Sequence, residues 1–275
     1  MTWIEAITLG IVQGLTEFLP VSSSGHLVLF QHLFGFKEPE LLFDISVHMG
    51  TLVAVIVVFF RELIILLKTF FQLPWLIRDA GSVGRLLVHN AEVRMMAMII
   101  AASIPTAILG VLFAQAAEHL FLNVTLVGVT LLITGFFLWF TRRSEWSGYE
   151  IVEMPWYHGL LIGLAQGLAI IPGISRSGAT IATALYLGMD RQSAFRFSFL
   201  LSIPAILGAF FLGLDGEAFA SALPVGLMLS GSLSAAVVGF VALKILSRMV
   251  ISGWLYRFAP YCWLVGVFVL VLSIF

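Results

Sequence analysis

Residues 10–26 read "GIVQGLTEFLPVSSSGH", and residues 163–179 read "GLAQGLAIIPGISRSGA". The two stretches repeat at an offset of 153 residues, with Gly10, Gln13, Gly14, Leu15, Ser22, Ser24 and Gly25 meeting Gly163, Gln166, Gly167, Leu168, Ser175, Ser177 and Gly178. The prolines, Pro20 and Pro172, miss register by one residue. In each copy an apolar helix runs into a proline, which pushes the residue before it out of helical geometry. Serines then offer N-caps for a second, short helix, and glycine permits close backbone approach. An apolar helix broken in this way and then resumed suits a re-entrant hairpin, which enters a membrane and leaves on the same side.

Composition puts both hairpins in a bilayer. The 275 residues are 60% hydrophobic and 11% charged, with mean hydropathy +1.07, outside the range of soluble domains. Besides the broken stretches at 3–35 and 156–188, six runs reach the length of about 20 residues that a spanning helix needs. They cover 41–60, 94–114, 121–141, 190–213, 221–243 and 258–275. The connection 61–93 looks amphipathic and is expected along the cytoplasmic interface. Pro105 and Pro204 read as kinks within spans. The N-terminal "MTWIEAITLG" has no basic segment and carries Glu5, unlike a cleaved signal peptide. Cys262 is the single cysteine, which excludes an internal disulfide and reads as a small packing residue. The net charge of −1 argues against a nucleic-acid partner.

Charge sets the orientation. With 41–60 running outward to inward, 12 of the 14 basic residues face the cytoplasm and Lys37 alone lies outside, as the positive-inside rule requires. Both termini are then outside. The fourteenth, Arg176, fits neither side. Three spans separate the two broken hairpins, and an odd number reverses the second relative to the first. The expected fold is therefore an all-α polytopic membrane protein, with six transmembrane helices plus two re-entrant broken-helix hairpins in an inverted-topology repeat. It forms one integral membrane domain over 1–275, with repeats at about 1–141 and 156–275.

Bringing the breaks together gives two opposed helix N-termini, Arg176, the hydroxyls of Ser22, Ser23, Ser175, Ser177 and Thr180, and His26 and Glu17. Charges at membrane depth cost at least ~2.5 kcal/mol each and mark function by default. Arginine with N–H groups and hydroxyls suits a phosphate. Glu17 and Gln13 are four apart on one helix face, where they could hold a hard divalent cation against the same oxygens. Taken alone, Glu17 and Arg176 could also be a structural ion pair locking the repeats together, a lesser reading that does not explain the hydroxyls or His26. Asp44 and His48 read mainly as interfacial polarity, with support for the site the lesser reading. His32, His89, His119 and His158 read as solvated, and Trp3, Trp139, Trp156 and Trp254 as interfacial anchors.

At "QGLTEFLPVSSSGH" (13–26) and "PGISRSGAT" (172–180) the chain resembles the undecaprenyl-pyrophosphate phosphatase family of the bacitracin-resistance type. Supporting similarity runs through "FDISVHMGTLVAV" and "FRFSFLLSIPAILGA", so the resemblance covers essentially the whole chain. It implies hydrolysis of undecaprenyl pyrophosphate to the monophosphate carrier lipid and inorganic phosphate, recycling the carrier for cell-envelope polymers such as peptidoglycan. It also implies a divalent metal (Mg or Ca), residence in the bacterial cytoplasmic membrane among its lipids, and an active site open to the outer face. Carried over by motif, Glu17 and Gln13 would be the metal-associated acid motif and His26 the acid/base residue. Ser23 or its neighbour Ser22 would be the nucleophile candidate, with attack by His26 or by water as the open alternatives. Arg176, with Ser175, Ser177 and Thr180 and the glycines Gly25 and Gly178, would bind the pyrophosphate. Gln13 stands where the family often has Glu. A lipid flippase or transporter is the competing class, since inverted repeats with broken helices are transporter architecture. A homo-oligomer is compatible with either reading.

Overall fold

The computed structural model describes residues 1–36, 41–114, 120, 123–143, 148–212 and 223–273. Lys37, His119 and the outer ends of several expected spans lie outside them. Among the described residues there are twelve α-helices and no strand, with one isolated bridge between Tyr149 and Met189. Helix α1 (Trp3–Phe18) starts on a capping box, in which the Thr2 N–H donates to Glu5 and the Glu5 N–H to Thr2 Oγ1. Glu5 thus has a structural place at the helix start. Helix α2 is Ser23–Leu33, α3 Leu41–Val58, α4 Phe60–Ala80, α5 Val83–His89, α6 Ala91–Ala114 and α7 Val124–Phe140. Helices α8 (Trp156–Leu168) and α9 (Arg176–Tyr186) form the second broken stretch. Helices α10 (Arg191–Leu212), α11 (Val225–Ile251) and α12 (Ala259–Leu272) complete the chain.

Among the described residues five helical stretches are long and apolar enough to cross a membrane: Ala91–Phe113, Val124–Arg143, Arg191–Leu212, Val225–Ile251 and Leu255–Leu272. A sixth is added if α3 and α4, bent by 78° at their junction, count as one span. The span expected at 221–243 continues further, to Ile251, and carries Lys244 and Arg248 on its last turns. Pro105 and Pro204 sit inside α6 and α10, which run on as single helices past them. The four helices of the broken stretches have 16, 11, 13 and 11 residues. Each is shorter than the roughly 20 residues needed to cross a bilayer core.

Packing repeats along with sequence. Helix α1 lies against α11, and α8 against α6; α3 also packs on α11, as α10 does on α6, while α7 and α12 pack on each other. The repeated glycines explain the closeness. A Cβ at Gly10 would sit 2.2 Å from the Gly231 carbonyl oxygen, and one at Gly163 2.0 Å from that of Ala102. In a membrane, where lipid tails are as apolar as leucine, such backbone proximity replaces the hydrophobic effect as the drive for association. Trp3, Trp156 and Trp254 are exposed, as anchors must be, but Trp139 is half-buried and stacks with Trp263 and Arg142.

Gly10→Val and Gly163→Val should therefore each lower the thermal midpoint in detergent, at about 1–3 kcal/mol of overpacking. Gly208→Ala is the control, because its Cβ would meet nothing within 4 Å. Thermal unfolding of the three proteins checks this, and equal midpoints would refute the close-packing account.

Candidate active site

Each break is built locally and then locked onto the other. Leu19, before Pro20, is extended at φ −60° and ψ 139°, which ends α1. Ser22 caps α2, its Oγ accepting from the Gly25 N–H at 3.4 Å, and Ser175 caps α9 through the Gly178 N–H at 3.1 Å. Among the described residues Ser22 is the one non-glycine with positive φ, at 68°. Such strain persists where surrounding contacts over-determine it. Ser22 Oγ also accepts from the Gly173 N–H at 3.1 Å, and the Ser177 hydroxyl donates to the Phe18 carbonyl at 2.8 Å. The two breaks thus meet.

Helices α7 and α12 hold the breaks from outside. Thr130 Oγ1 donates to the Pro172 carbonyl at 2.6 Å and Thr134 Oγ1 to that of Gly173 at 3.0 Å. On the other side the Cys262 thiol points at the Pro20 carbonyl, 3.4 Å away, so this cysteine adds a weak donor to its packing role. Breaking a helix frees carbonyls that hydrocarbon cannot solvate, and these side chains re-satisfy them.

Glu17 is the hub. It is buried, and its Oε1 accepts from Arg176 Nη2 at 2.6 Å. Its Oε2 accepts from the Ser23 hydroxyl at 2.7 Å and from Gln13 Nε2 at 3.1 Å, with His48 Nε2 3.6 Å away. The ion pair considered from sequence therefore forms, but it does not use up the groups around it. Arg176 Nη1 and Gln13 Oε1 are both buried with no partner. Leaving such groups unpaired costs about 1–3 kcal/mol each, more where charge is involved. One is a cationic donor, the other a neutral acceptor. The guanidinium lies over the buried Phe199 ring at 5.7 Å, and Phe199 packs on Phe18, Phe59 and Phe195 as an apolar floor.

The other expected residues divide into two groups. Ser23 touches Glu17 directly, whereas the Ser22 and Ser175 hydroxyls are caps. Thr180 donates within the first turn of α9, to the Arg176 carbonyl at 2.9 Å, and meets Ser198 Oγ at 2.5 Å, bracing the turn that carries Arg176. A Cβ on Gly25 would lie 3.1 Å from Val127 Cγ1, and one on Gly178 3.1 Å from Pro20, so both glycines serve the tight meeting of the breaks. The first N–H groups of α2 and α9, at Ser23 and Arg176, have no intrahelical acceptor and carry the positive end of the helix dipole. His26 is bonded to neither Glu17 nor Ser23. Its Nδ1–H donates to the Ser22 carbonyl at 2.8 Å, and its Nε2 faces the Tyr261 hydroxyl at 2.8 Å.

His48 corrects the reading of "FDISVHMGT" as mainly interfacial: it stands beside Glu17, and Asp44 accepts from Gln31 Nε2 at 2.7 Å next to it. The spacing of four residues was the signal for that pair. His32 and His89 are exposed as expected, but His158 is half-buried and bonded to the Tyr149 hydroxyl at 2.6 Å. Tyr261, Thr130, Thr134 and Phe199 gave no sequence signal beyond a lone polar or aromatic residue in an apolar span.

The donor set also tests the implied cation. Among the described residues no three His, Cys, Asp or Glu side chains gather as a metal cage. One carboxylate, already paired with Arg176, and one free amide oxygen make a partial set. Magnesium typically binds that way, through one or two carboxylates with substrate phosphates and water completing the shell. The residues fit a cation shared with a phosphate ligand.

The family model described as "Bacitracin resistance protein BacA" matches residues 6–268. A protein of Desulfatibacillum aliphaticivorans named undecaprenyl-diphosphatase is 48% identical over 275 residues, 98% of this chain and 99% of its own. Proteins of the same name from Desulfosudis oleivorans and Carboxydothermus hydrogenoformans are 49% and 42% identical, covering 96% and 99% of this chain and 96% and 98% of their own. With a match of that extent across both broken stretches, the chain belongs to the BacA family of bacitracin resistance proteins.

Proposed function

We propose that this protein hydrolyses undecaprenyl pyrophosphate to undecaprenyl phosphate and inorganic phosphate, the activity for which its relatives are named. The observation that carries the reading is the buried Glu17 carboxylate, which takes the Ser23 hydroxyl on one oxygen and Arg176 on the other, with Arg176 Nη1 left unpartnered. A nucleophile bonded to its base beside a free cationic donor is the arrangement that phosphoryl transfer needs. Full-length relatives named as the phosphatase favour this over a flippase.

In the mechanism, Ser23 Oγ attacks the terminal phosphorus while its proton passes to Glu17 Oε2. The bond to the bridging oxygen breaks, and its electron pair leaves with the lipid monophosphate. Water then attacks the phosphoserine, passing one proton to His26 Nε2 and on to solvent while Glu17 returns its own to Ser23 Oγ, and the remaining hydroxyl leaves on inorganic phosphate. Arg176 Nη1 and the open N–H groups of α2 and α9 hold the phosphate oxygens. His26, with a bare Nε2 in its neutral form, is the second proton acceptor of the site. A divalent cation, Mg2+ or Ca2+, would be held by Glu17 with Gln13 Oε1, and would neutralise charge on the phosphate oxygens.

The fold that serves this chemistry is a single membrane domain of six spans and two re-entrant hairpins, α1–α2 and α8–α9, in an inverted repeat of about 1–141 and 156–275. The short helices and the matched packing of Gly10 and Gly163 support it. Charge placement supports residence in the bacterial cytoplasmic membrane, with the site toward the outer face, both termini outside and α4 along the inner interface. The polyprenyl tail lies between apolar helix faces. Every residue named comes from one chain, so a single copy suffices for the chemistry even if the protein forms a homo-oligomer.

Arg176→Ala and Glu17→Ala should each cut phosphate release from detergent-solubilised protein by at least about a hundredfold. Near-parental turnover in either would overturn the reading, and no release by the parent protein in detergent would favour a carrier. Acid quenching with substrate labelled on the terminal phosphate should trap label on the parent protein and none on Ser23→Ala; an unlabelled parent would point to direct attack by water. Chelation should stop turnover, and Gln13→Glu should lower the cation concentration for half-maximal rate by roughly tenfold, since it adds a carboxylate. A metal titration reads that shift, and an unchanged midpoint would remove Gln13 from the ligand set.

A further inference from the structure

The proposed chemistry uses His26 but says nothing of what aims it. The ring is held from both sides. Its Nδ1 lies 2.8 Å from the Ser22 carbonyl oxygen, which can only accept, so Nδ1 carries the proton. In the neutral ring Nε2 is then a bare lone pair, and the Tyr261 hydroxyl, 2.8 Å away, is its donor. The two rings are also stacked, 5.8 Å apart and within 10° of parallel. The partners lie 235 residues apart, one on α2 and one on α12.

This pair is not something the repeated architecture requires. At the offset of 153 residues the counterpart of His26 is Ala179. At the same offset Pro20 meets Gly173, and Cys262 and Thr134 reach those two carbonyls in matching fashion, so the counterpart of Tyr261 is the residue before Thr134, Ile133. In the second half apolar side chains occupy both places. That half contributes Arg176 where the first has Ser23. The half with the nucleophile is the half with the histidine–tyrosine pair.

From this geometry we infer that Tyr261 is a positioning residue for the hydrolysis, holding the His26 ring in the Nδ1–H form with the direction of its Nε2 lone pair fixed. Tyr261 is 45% exposed, and a water that replaced its hydroxyl as the donor to Nε2 would be placed to give its proton there. The inference rests on the proposed role of His26. Losing the hydroxyl leaves Nε2 without its donor and the ring held by hydrogen bonding from the Ser22 side alone, while the phosphate-holding groups are untouched.

The experiment uses the full-length protein in detergent with undecaprenyl pyrophosphate as the probe. Tyr261→Phe keeps the ring and its stacking, and should lower kcat by about tenfold with KM within about twofold, the effect of one lost hydrogen bond. In a His26→Gln background the same change should cost less than about twofold, because the two residues act as one unit. In protein labelled with 15N-histidine, the His26 signal, identified by its loss in His26→Gln, should show Nδ1 protonated and its Nε2 resonance should move in Tyr261→Phe. Parental kcat in Tyr261→Phe, an undiminished loss in the His26→Gln background, or an unmoved Nε2 resonance would each overturn the assignment. Parental turnover in His26→Gln would instead sink the reading of His26 itself, and with it any use for its positioning.

Discussion

A carboxylate and a guanidinium held together in a low-dielectric interior set the terms for everything else in this structure. Neither Glu17 nor Arg176 belongs to a helix that could bury it cheaply alone, and removing one partner of such a pair typically costs 3–5 kcal/mol or so because the other is left uncompensated. The pair therefore demands that two helix breaks, 159 residues apart in the chain, come within 2.6 Å. Ser22 bound to Gly173 and Ser177 bound to Phe18 are the same demand expressed in neutral groups. The threonines of α7 then take up the carbonyls that the second break exposes.

In the proposed reading the pair does more than lock. A purely structural ion pair would be expected to satisfy all of its hydrogen-bonding atoms internally, since orphaned polar groups in an apolar interior are costly. Here one guanidinium nitrogen and one amide oxygen are buried unpaired on opposite partners of the same carboxylate. The aromatic floor of Phe18, Phe59, Phe195 and Phe199 closes off one side of the guanidinium. With Ser23 on the remaining carboxylate oxygen, the hub is both the structural tie and the base of the proposed nucleophile.

The repeat divides labour unequally. Its glycines, Gly10 and Gly163, perform one task in both halves, seating a short helix against a partner backbone. Its capping serines, Ser22 and Ser175, also match in role. The chemistry does not repeat: Ser23 faces Arg176 at equivalent positions, and Glu17 and His26 have the apolar counterparts Ile170 and Ala179. The repeated stretches bring two dipole ends together, and in the proposed reading the few side chains that differ give the meeting point a nucleophilic side and an anion-holding side.

Helix class, the positions of the breaks and the acid–arginine pair were legible in the chain because each rests on local physics: apolar run length, proline's effect on its predecessor, and the cost of charge in lipid. The family was legible in another way, through the resemblance that two polar motifs carry, at 13–26 and 172–180. What only the tertiary structure decided is which polar groups share a partner. His48 was visible but set aside, since a histidine near a helix end has a cheap home at an interface; its place 3.6 Å from Glu17 depends on how α3 packs. Ser177 and Thr180 read as open phosphate donors, yet their protons go to Phe18 and Arg176 carbonyls. Tyr261 could not be foreseen at all. A hydrogen bond spanning 235 residues is set by the angle and register of α2 against α12, and no local propensity encodes those.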